Sequence, residues 1–239
     1  MTALVRVGHK GADLIEPGNT RASFDAALAH GVDMIELDVL PERGGSGLIV
    51  AHDYEDAAER TPLTLREGLE HLAEARFEGV GLIVDLKLPG YELPVLESLA
   101  DAGLTERSLI STQYRSSHAR IREADPSVRL AWSIPRARRD YTASRLMVLP
   151  ALAALVALRR TMPRAVSKGI RGGDFDAVLA HWRLVTPRLA AAVRSAGGDL
   201  YVWTVDDRTH IRALEKLGVT GVVTNDPRLF APEDLAQEA

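Results

Sequence analysis

Short apolar runs alternate along this chain with longer stretches in which apolar residues return every three or four positions. The first pattern belongs to strands buried in a sheet, the second to helices with one covered face. Strand-like runs fall at 4–8, 34–39, 48–51, 80–84, 109–112, 128–133, 177–180, 200–205 and 221–224. Between them, residues 21–30 carry Phe24, Ala27 and Leu28 at helical spacing, and Gly31 suits the stop. Thr64-Leu65-Arg66-Glu67 has the form of a capping box, with Leu65, Leu69, Leu72 and Ala73 following on one face. Residues 93–102, 116–124, 187–196 and 209–217 read as further helices, the last two stopped by Gly197-Gly198 and Gly218.

The order is strand then helix, repeated. Nine strand-like runs are one more than the eight of a (β/α)8 TIM barrel. Gly44-Gly45-Ser46-Gly47 lies between runs 34–39 and 48–51 and is too short for a helical crossover. The predicted fold is therefore α/β, a TIM barrel with a hairpin-like excursion after the second strand. A doubly wound open sheet is the rival, but no glycine-rich turn joins a strand to a helix as a dinucleotide site requires.

Length agrees: 239 residues suit one barrel of about 250. No shift in composition and no polar linker divides the chain, so residues 1–239 are read as a single domain. A net charge of -4 gives no general attraction to nucleic acid or anionic lipid. The absence of cysteine excludes disulfides, thiolate metal sites and a cysteine nucleophile. The first residues lack the basic start and apolar core of a signal peptide, so a cytoplasmic location is expected.

The strands carry unusual polar residues. Glu36 and Asp38 stand two apart in an apolar run, so on a strand both carboxylates share a face. Two buried like charges are costly unless a cation neutralises them. A hard divalent metal would do so, and an ordinary strand with one solvated face is the plainer reading. His9-Lys10, His52-Asp53 and Asp85-Leu86-Lys87 each follow or end an apolar run. In parallel α/β folds ligands bind at the carboxyl ends of strands.

These residues carry a resemblance. His9-Lys10-Gly11, Pro17-Gly18-Asn19-Thr20, Glu36-Leu37-Asp38-Val39, His52-Asp53, Asp85-Leu86-Lys87, Trp203-Thr204-Val205 and Thr224-Asn225-Asp226-Pro227 resemble, in order, the motifs of the glycerophosphodiester phosphodiesterase family. The resemblance implies a TIM barrel, a divalent metal and two acid–base histidines that cleave a phosphodiester. On this chain it implies Glu36, Asp38 and Asp85 as ligands of Mg²⁺ or Ca²⁺, and His9 and His52 as general acid and base. Lys10 and Lys87 would contact phosphate, with a salt bridge to Glu36 or Asp38 as the alternative for Lys87. Trp203 would line the barrel mouth against an alcohol or sugar, with core packing as its alternative.

The chain also departs from the pattern. Lys10 stands where the family usually has Arg, and Gly18 where it has Glu, with Glu16 nearby. Asp85 replaces a longer Glu, and Asp206 follows Trp203-Thr204-Val205 where Asn is common. An Asp-x-Lys also resembles the spider-venom sphingomyelinase D branch. His30, His71, His118 and His210 are expected at the surface, and His181 could reach the mouth. The longest apolar run, 146–158, is too short to span a bilayer, which needs about 20 residues. It lies between Arg136, Arg138, Arg139 and Arg145 on one side and Arg159, Arg160, Arg164, Lys168 and Arg171 on the other. That pattern suits a peripheral membrane or lysolipid contact, or an outer barrel helix. Three functions follow: a metal-dependent hydrolase of glycerophosphodiesters or lysophospholipids, a phospholipase D-like lyase leaving a cyclic phosphate, or a barrel that binds phosphodiesters or lipid headgroups without turnover.

Overall fold

A computed structural model describes residues 3–134 and 148–231. Its strands are β1 (Val5–Gly8), β2 (Met34–Pro41), β3 (Leu48–Val50), β4 (Leu63–Thr64), β5 (Gly81–Leu86), β6 (Ser108–Thr112), β7 (Arg129–Ser133), β8 (Ala177–His181), β9 (Asp199–Trp203) and β10 (Gly221–Thr224). Its α-helices are α1 (Arg21–Ala29), α2 (Asp56–Glu59), α3 (Leu65–Leu72), α4 (Glu92–Asp101), α5 (Arg115–Ala124), α6 (Val148–Arg171), α7 (Pro187–Ser195) and α8 (Arg208–Leu217).

Strands β1, β2 and β5 to β10 pair in parallel, and β1 meets both β2 and β10, so the sheet closes on itself. This is the expected TIM barrel. The surplus strand is accounted for: β3 runs antiparallel to β2, and short β4 runs antiparallel to β3. The sequence reading did not anticipate β4 or the single-turn α2.

The period of two explains both cores. Val7, Met34, Ile83, Leu109, Ala131, Ala177, Leu179, Tyr201 and Val223 fill the inside of the barrel. Their neighbours, among them Ile35, Leu37, Leu82, Val84, Ile110 and Val222, face the helices in a larger core. Each fully buried aliphatic side chain contributes roughly 1.5–3 kcal/mol. Helix ends obey local rules. Thr20 and Thr64 cap α1 and α3, each in a reciprocal capping box, and Gly218 ends α8 with φ of 76°.

Two corrections concern histidines expected at the surface. His71 and His118 are both buried. His71 is held between Asp25 (2.8 Å) and Glu74 (3.2 Å), and His118 Nε2 lies 3.2 Å from the Ala131 carbonyl. Polar partners on neighbouring elements let an imidazole sit inward where its own helix gave no sign of it.

Of the 146–158 run, 148–158 form the first half of α6, whereas 146–147 and Arg136, Arg138, Arg139 and Arg145 lie outside the described residues. Met162 and Val166 in the second half are buried, while Val156 and Leu158 are exposed. No helix among the described residues is long and apolar enough to cross a membrane.

Candidate active site

The interior rows of the barrel turn polar at the carboxyl ends of the strands. Following the same face upward, Val7 leads to His9, Met34 to Glu36 and Asp38, Ile83 to Asp85 and Lys87, Leu109 to Ser111, and Tyr201 to Trp203. In the β2–β5 register Asp38 lies opposite Asp85, and in the β5–β6 register Asp85 lies opposite Ser111. Glu36, Asp38 and Asp85 thereby bring one oxygen each within 4.8 Å of one another.

Each carboxylate is held. Ser111 Oγ donates to Asp85 Oδ1 at 2.5 Å. Asn19 grips Asp38 twice: its Nδ2 donates to Oδ2 at 2.9 Å, and its Oδ1 accepts from the Asp38 N–H at 3.1 Å. The Lys10 N–H donates to Glu36 Oε2 at 2.9 Å. Lys10 and Asn19 are the two non-glycine residues with positive φ among those described, at 50° and 59°. Both spend that uncommon conformation on a carboxylate of the site. The turn before Lys10 needs glycine, because a Cβ on Gly8 would lie 2.2 Å from the Gly11 carbonyl oxygen.

Lys87 is the internal counter-charge. Its Nζ lies 2.5 Å from Asp38 Oδ1 and 2.7 Å from Asp85 Oδ2. The salt-bridge alternative for Lys87 is therefore realised with Asp38. Burial works against the ammonium, but Asp38, Asp85 and Glu36 together raise its pKa well above the ordinary value. Asp38 is fully buried, which favours its neutral form, yet Lys87, His9 and His52 hold its carboxyl well below the usual range. Burial, then the neighbouring Asp38, pushes Glu36 well up. One ammonium faces Asp38 and Asp85, and the third carboxyl, Glu36, is driven toward its neutral form for want of a second cation.

That shortage tests the fit of a metal. Asp38 Oδ1 is buried and has no partner of hydrogen-bond geometry, only the nearby ammonium. The donors are all hard oxygens, the set that suits Mg²⁺ or Ca²⁺. The residues fit a divalent cation.

A cavity of about 610 Å³ opens above the cluster, and its polar lining includes His9, Glu36, His52, Asp53, Asp85 and Lys87. Leu40, Leu88, Ile134, Leu179 and Trp203 contribute its apolar lining. His9 sits beyond β1 with Nε2 3.9 Å from Glu36 Oε2 and Nδ1 2.5 Å from Asn225 Oδ1. Burial lowers its pKa, against the opposing pull of Asp38. His52 follows β3 on the excursion, half exposed, its Nδ1 2.8 Å from Asp53 Oδ2. The hairpin is what brings this second imidazole over the barrel mouth. Trp203 borders the cavity, and its Nε1 has no hydrogen-bond partner. His181 stands edge-on to Trp203, with ring centres 5.4 Å apart, rather than lining the cavity.

Lys10 is placed apart from the other residues singled out. Its Nζ pairs with Asp13 at 3.1 Å and does not line the cavity. Beside it, a Cβ on Gly18 would meet Asp13 Oδ1 at 2.3 Å, so Asp13 fills the space at Gly18 while Glu16 is exposed. Sequence reasoning missed the supporting contacts of Asp13, Asn19, Ser111 and Asn225. Ser111 had a signal, a hydroxyl two places after interior Leu109. Asn19 and Asn225 lay inside recognised motifs, without indication of what they hold.

The sequence model of the Glycerophosphoryl diester phosphodiesterase family matches residues 84–229, more than half of the chain. His9, Glu36, Asp38 and His52 precede that segment. A glycerophosphodiester phosphodiesterase of Caldanaerobacter subterraneus is 24% identical, the alignment covering 92% of this chain and 93% of the relative. YhdW of Bacillus subtilis, provisionally named for the same activity, is 26% identical, over 92% of this chain and 94% of its own. Among solved structures, a phosphodiesterase of Oleispira antarctica, in complex with its product sn-glycerol-3-phosphate, superposes with a TM-score of 0.67 at 17% identity, covering 93% of each chain.

Proposed function

The chain belongs to the glycerophosphoryl diester phosphodiesterase family, and from that premise we propose how its residues divide the work of hydrolysis. The protein is a phosphoric diester hydrolase acting on glycerophosphodiesters. The products are sn-glycerol 3-phosphate, the compound bound to the Oleispira relative, and an alcohol. The observation that carries the residue assignment is the convergence of three carboxylate oxygens within 4.8 Å beneath a cavity lined by two imidazoles.

Glu36, Asp38 and Asp85 would hold Mg²⁺ or Ca²⁺, which supplies Lewis-acid stabilisation of the phosphate's developing negative charge. His9 and His52 share the proton transfers: one takes the proton from the attacking water or hydroxyl, the other protonates the leaving alcohol, and where a hydroxyl attacks, a water then opens the cyclic ester to give sn-glycerol 3-phosphate. Lys87, whose ammonium keeps a third N–H beside its bridges to Asp38 and Asp85 and lines the cavity, would also meet a phosphate oxygen as a compact point charge. Trp203 packs against the alcohol or glycerol moiety. Lys10 serves through its backbone N–H on Glu36 rather than through its ammonium.

The apolar wall of Leu40, Leu88, Ile134 and Leu179 supports lysophospholipids as substrates beside water-soluble diesters. The same reading treats 1–239 as one domain. It keeps the protein cytoplasmic, with peripheral membrane contact through 146–158. Fractionation and sedimentation with anionic vesicles test the last two points. Assay with glycerophosphocholine, glycerophosphoethanolamine and lysophosphatidylcholine, with Mg²⁺ or Ca²⁺ and then EDTA, tests substrate and metal. Phosphorus NMR of the product separates hydrolysis from the lyase route, because a cyclic phosphate is a distinct species. Full activity of both His9→Gln and His52→Gln would end the acid–base assignment.

A further inference from the structure

Asp206 lies in the loop between β9 and α8, exposed and outside the carboxylate cluster. Its carboxylate accepts three hydrogen bonds: from Asn225 Nδ2 at 2.6 Å, from the Asn225 N–H at 2.8 Å and from Thr224 Oγ1 at 3.0 Å. An ionised carboxylate only accepts, so the amide atom facing it is nitrogen. The opposite end of the Asn225 side chain is then its oxygen, and this end lies 2.5 Å from His9 Nδ1. An amide oxygen also only accepts. The proton of a neutral His9 therefore sits on Nδ1, and Nε2, on the Glu36 side, carries the lone pair. The main chain repeats the attachment, since the His9 N–H donates to the Thr224 carbonyl at 2.8 Å.

We propose that Asp206 is a positioning residue for the hydrolysis: through Asn225 it holds His9 in the Nδ1–H tautomer, with Nε2 bare toward the cavity. This rests on the reading of His9 as an acid–base group. Without Asp206 the Asn225 amide is free to turn over and present its NH₂ group to His9, which selects the opposite tautomer and places the proton on Nε2. An amide at position 206 must keep its oxygen where Asp206 Oδ1 accepts from the Asn225 N–H and Thr224 Oγ1, so its NH₂ faces the Asn225 side chain and turns the Asn225 amide around. Exchanging the two side chains, Asp206→Asn with Asn225→Asp, keeps the logic. A carboxylate at position 225 accepts from His9 Nδ1 with one oxygen and from the amide at position 206 with the other.

The test combines kinetics with side-chain nitrogen NMR of the metal-free protein, the His9 signals being assigned by their loss in His9→Gln. The wild type should show the Nδ1–H pattern. Asp206→Ala should mix the tautomers and lower kcat roughly 10- to 100-fold with KM changed by less than about threefold, the mark of misorientation rather than lost binding. Asp206→Asn should shift His9 to the Nε2–H tautomer with a similar loss of kcat, and serves if the alanine variant fails to fold. Asp206→Asn with Asn225→Asp should restore the tautomer and bring kcat back to within about fivefold of wild type. An Nε2–H wild type, or an Asp206 variant with unchanged tautomer and kcat, overturns the proposal. A fully active His9→Gln would instead overturn the acid–base reading, while the NMR still reads the relay.

Discussion

The ammonium of Lys87 lies 2.5 Å from Asp38 Oδ1, a carboxylate oxygen buried beneath the cavity floor. A charge taken from water survives there because its counter-charge is covalently supplied two residues beyond Asp85. Removing one partner leaves the other uncompensated, which for a buried pair costs about 3 kcal/mol. Lys87→Met should lose about that much stability in EDTA, and a saturating divalent ion should recover much of it. Urea unfolding with and without the ion measures both. Equal losses under the two conditions would show that the ammonium and the ion do not share the carboxylates.

Glu36 behaves oppositely. Burial, then Asp38, favours its neutral form, so Glu36→Gln should change metal-free stability by less than about 1 kcal/mol. The same substitution removes a charged oxygen ligand and should raise the Mg²⁺ or Ca²⁺ concentration for half-maximal rate by roughly tenfold or more. Titration calorimetry and rate against ion concentration decide. An unchanged ion requirement would remove Glu36 from the ligand set.

The two imidazoles should be separable from folding. His9→Gln and His52→Gln should each lower kcat by roughly 10²- to 10⁴-fold, with the circular dichroism spectrum retained. His52 is half exposed and sits on the excursion rather than on a barrel strand, so its replacement should barely move the unfolding midpoint. Near-full activity of His52→Gln would return the second proton transfer to water.

His118 predicts an acid weakness distant from the chemistry. Burial lowers its pKa from 6.5 to about 4. Between those values the unfolded chain binds the proton and the folded protein does not. Stability from this group is therefore complete above pH 6.5 and declines as pH falls toward 4, by roughly 3 kcal/mol in all. Urea unfolding at pH 7.5 and 4.5 should show a smaller acid loss for His118→Gln than for wild type. Parallel losses would mean His118 titrates normally.

Gly18 predicts a failed restoration. A Cβ there would meet Asp13 Oδ1 at 2.3 Å and Lys10 Cβ at 2.8 Å. Gly18→Glu alone should destabilise by about 1–3 kcal/mol through overpacking. Added Asp13→Ala should relieve most of that loss in the same thermal melt. A Gly18→Glu protein as stable as wild type would show the Asp13 side chain moves aside without cost.

Much of this protein follows from local pattern. Apolar runs of period two and amphipathic stretches of period near 3.6 determined the strands, the helices and their order, because these periods are properties of a single segment. The same rule made Glu36 and Asp38 share a face, and the short glycine linker after β2 required a hairpin. What needed the tertiary structure was every partnership between segments. Barrel closure and strand register set Asp38 opposite Asp85 and Asp85 opposite Ser111. His9 and Asn225 meet across 216 residues of chain. His71 and His118 are buried by elements that their own helices do not encode. Periodicity says which way a side chain points, while the atom it finds there depends on how distant strands slide and close, and that is decided only when the whole barrel packs.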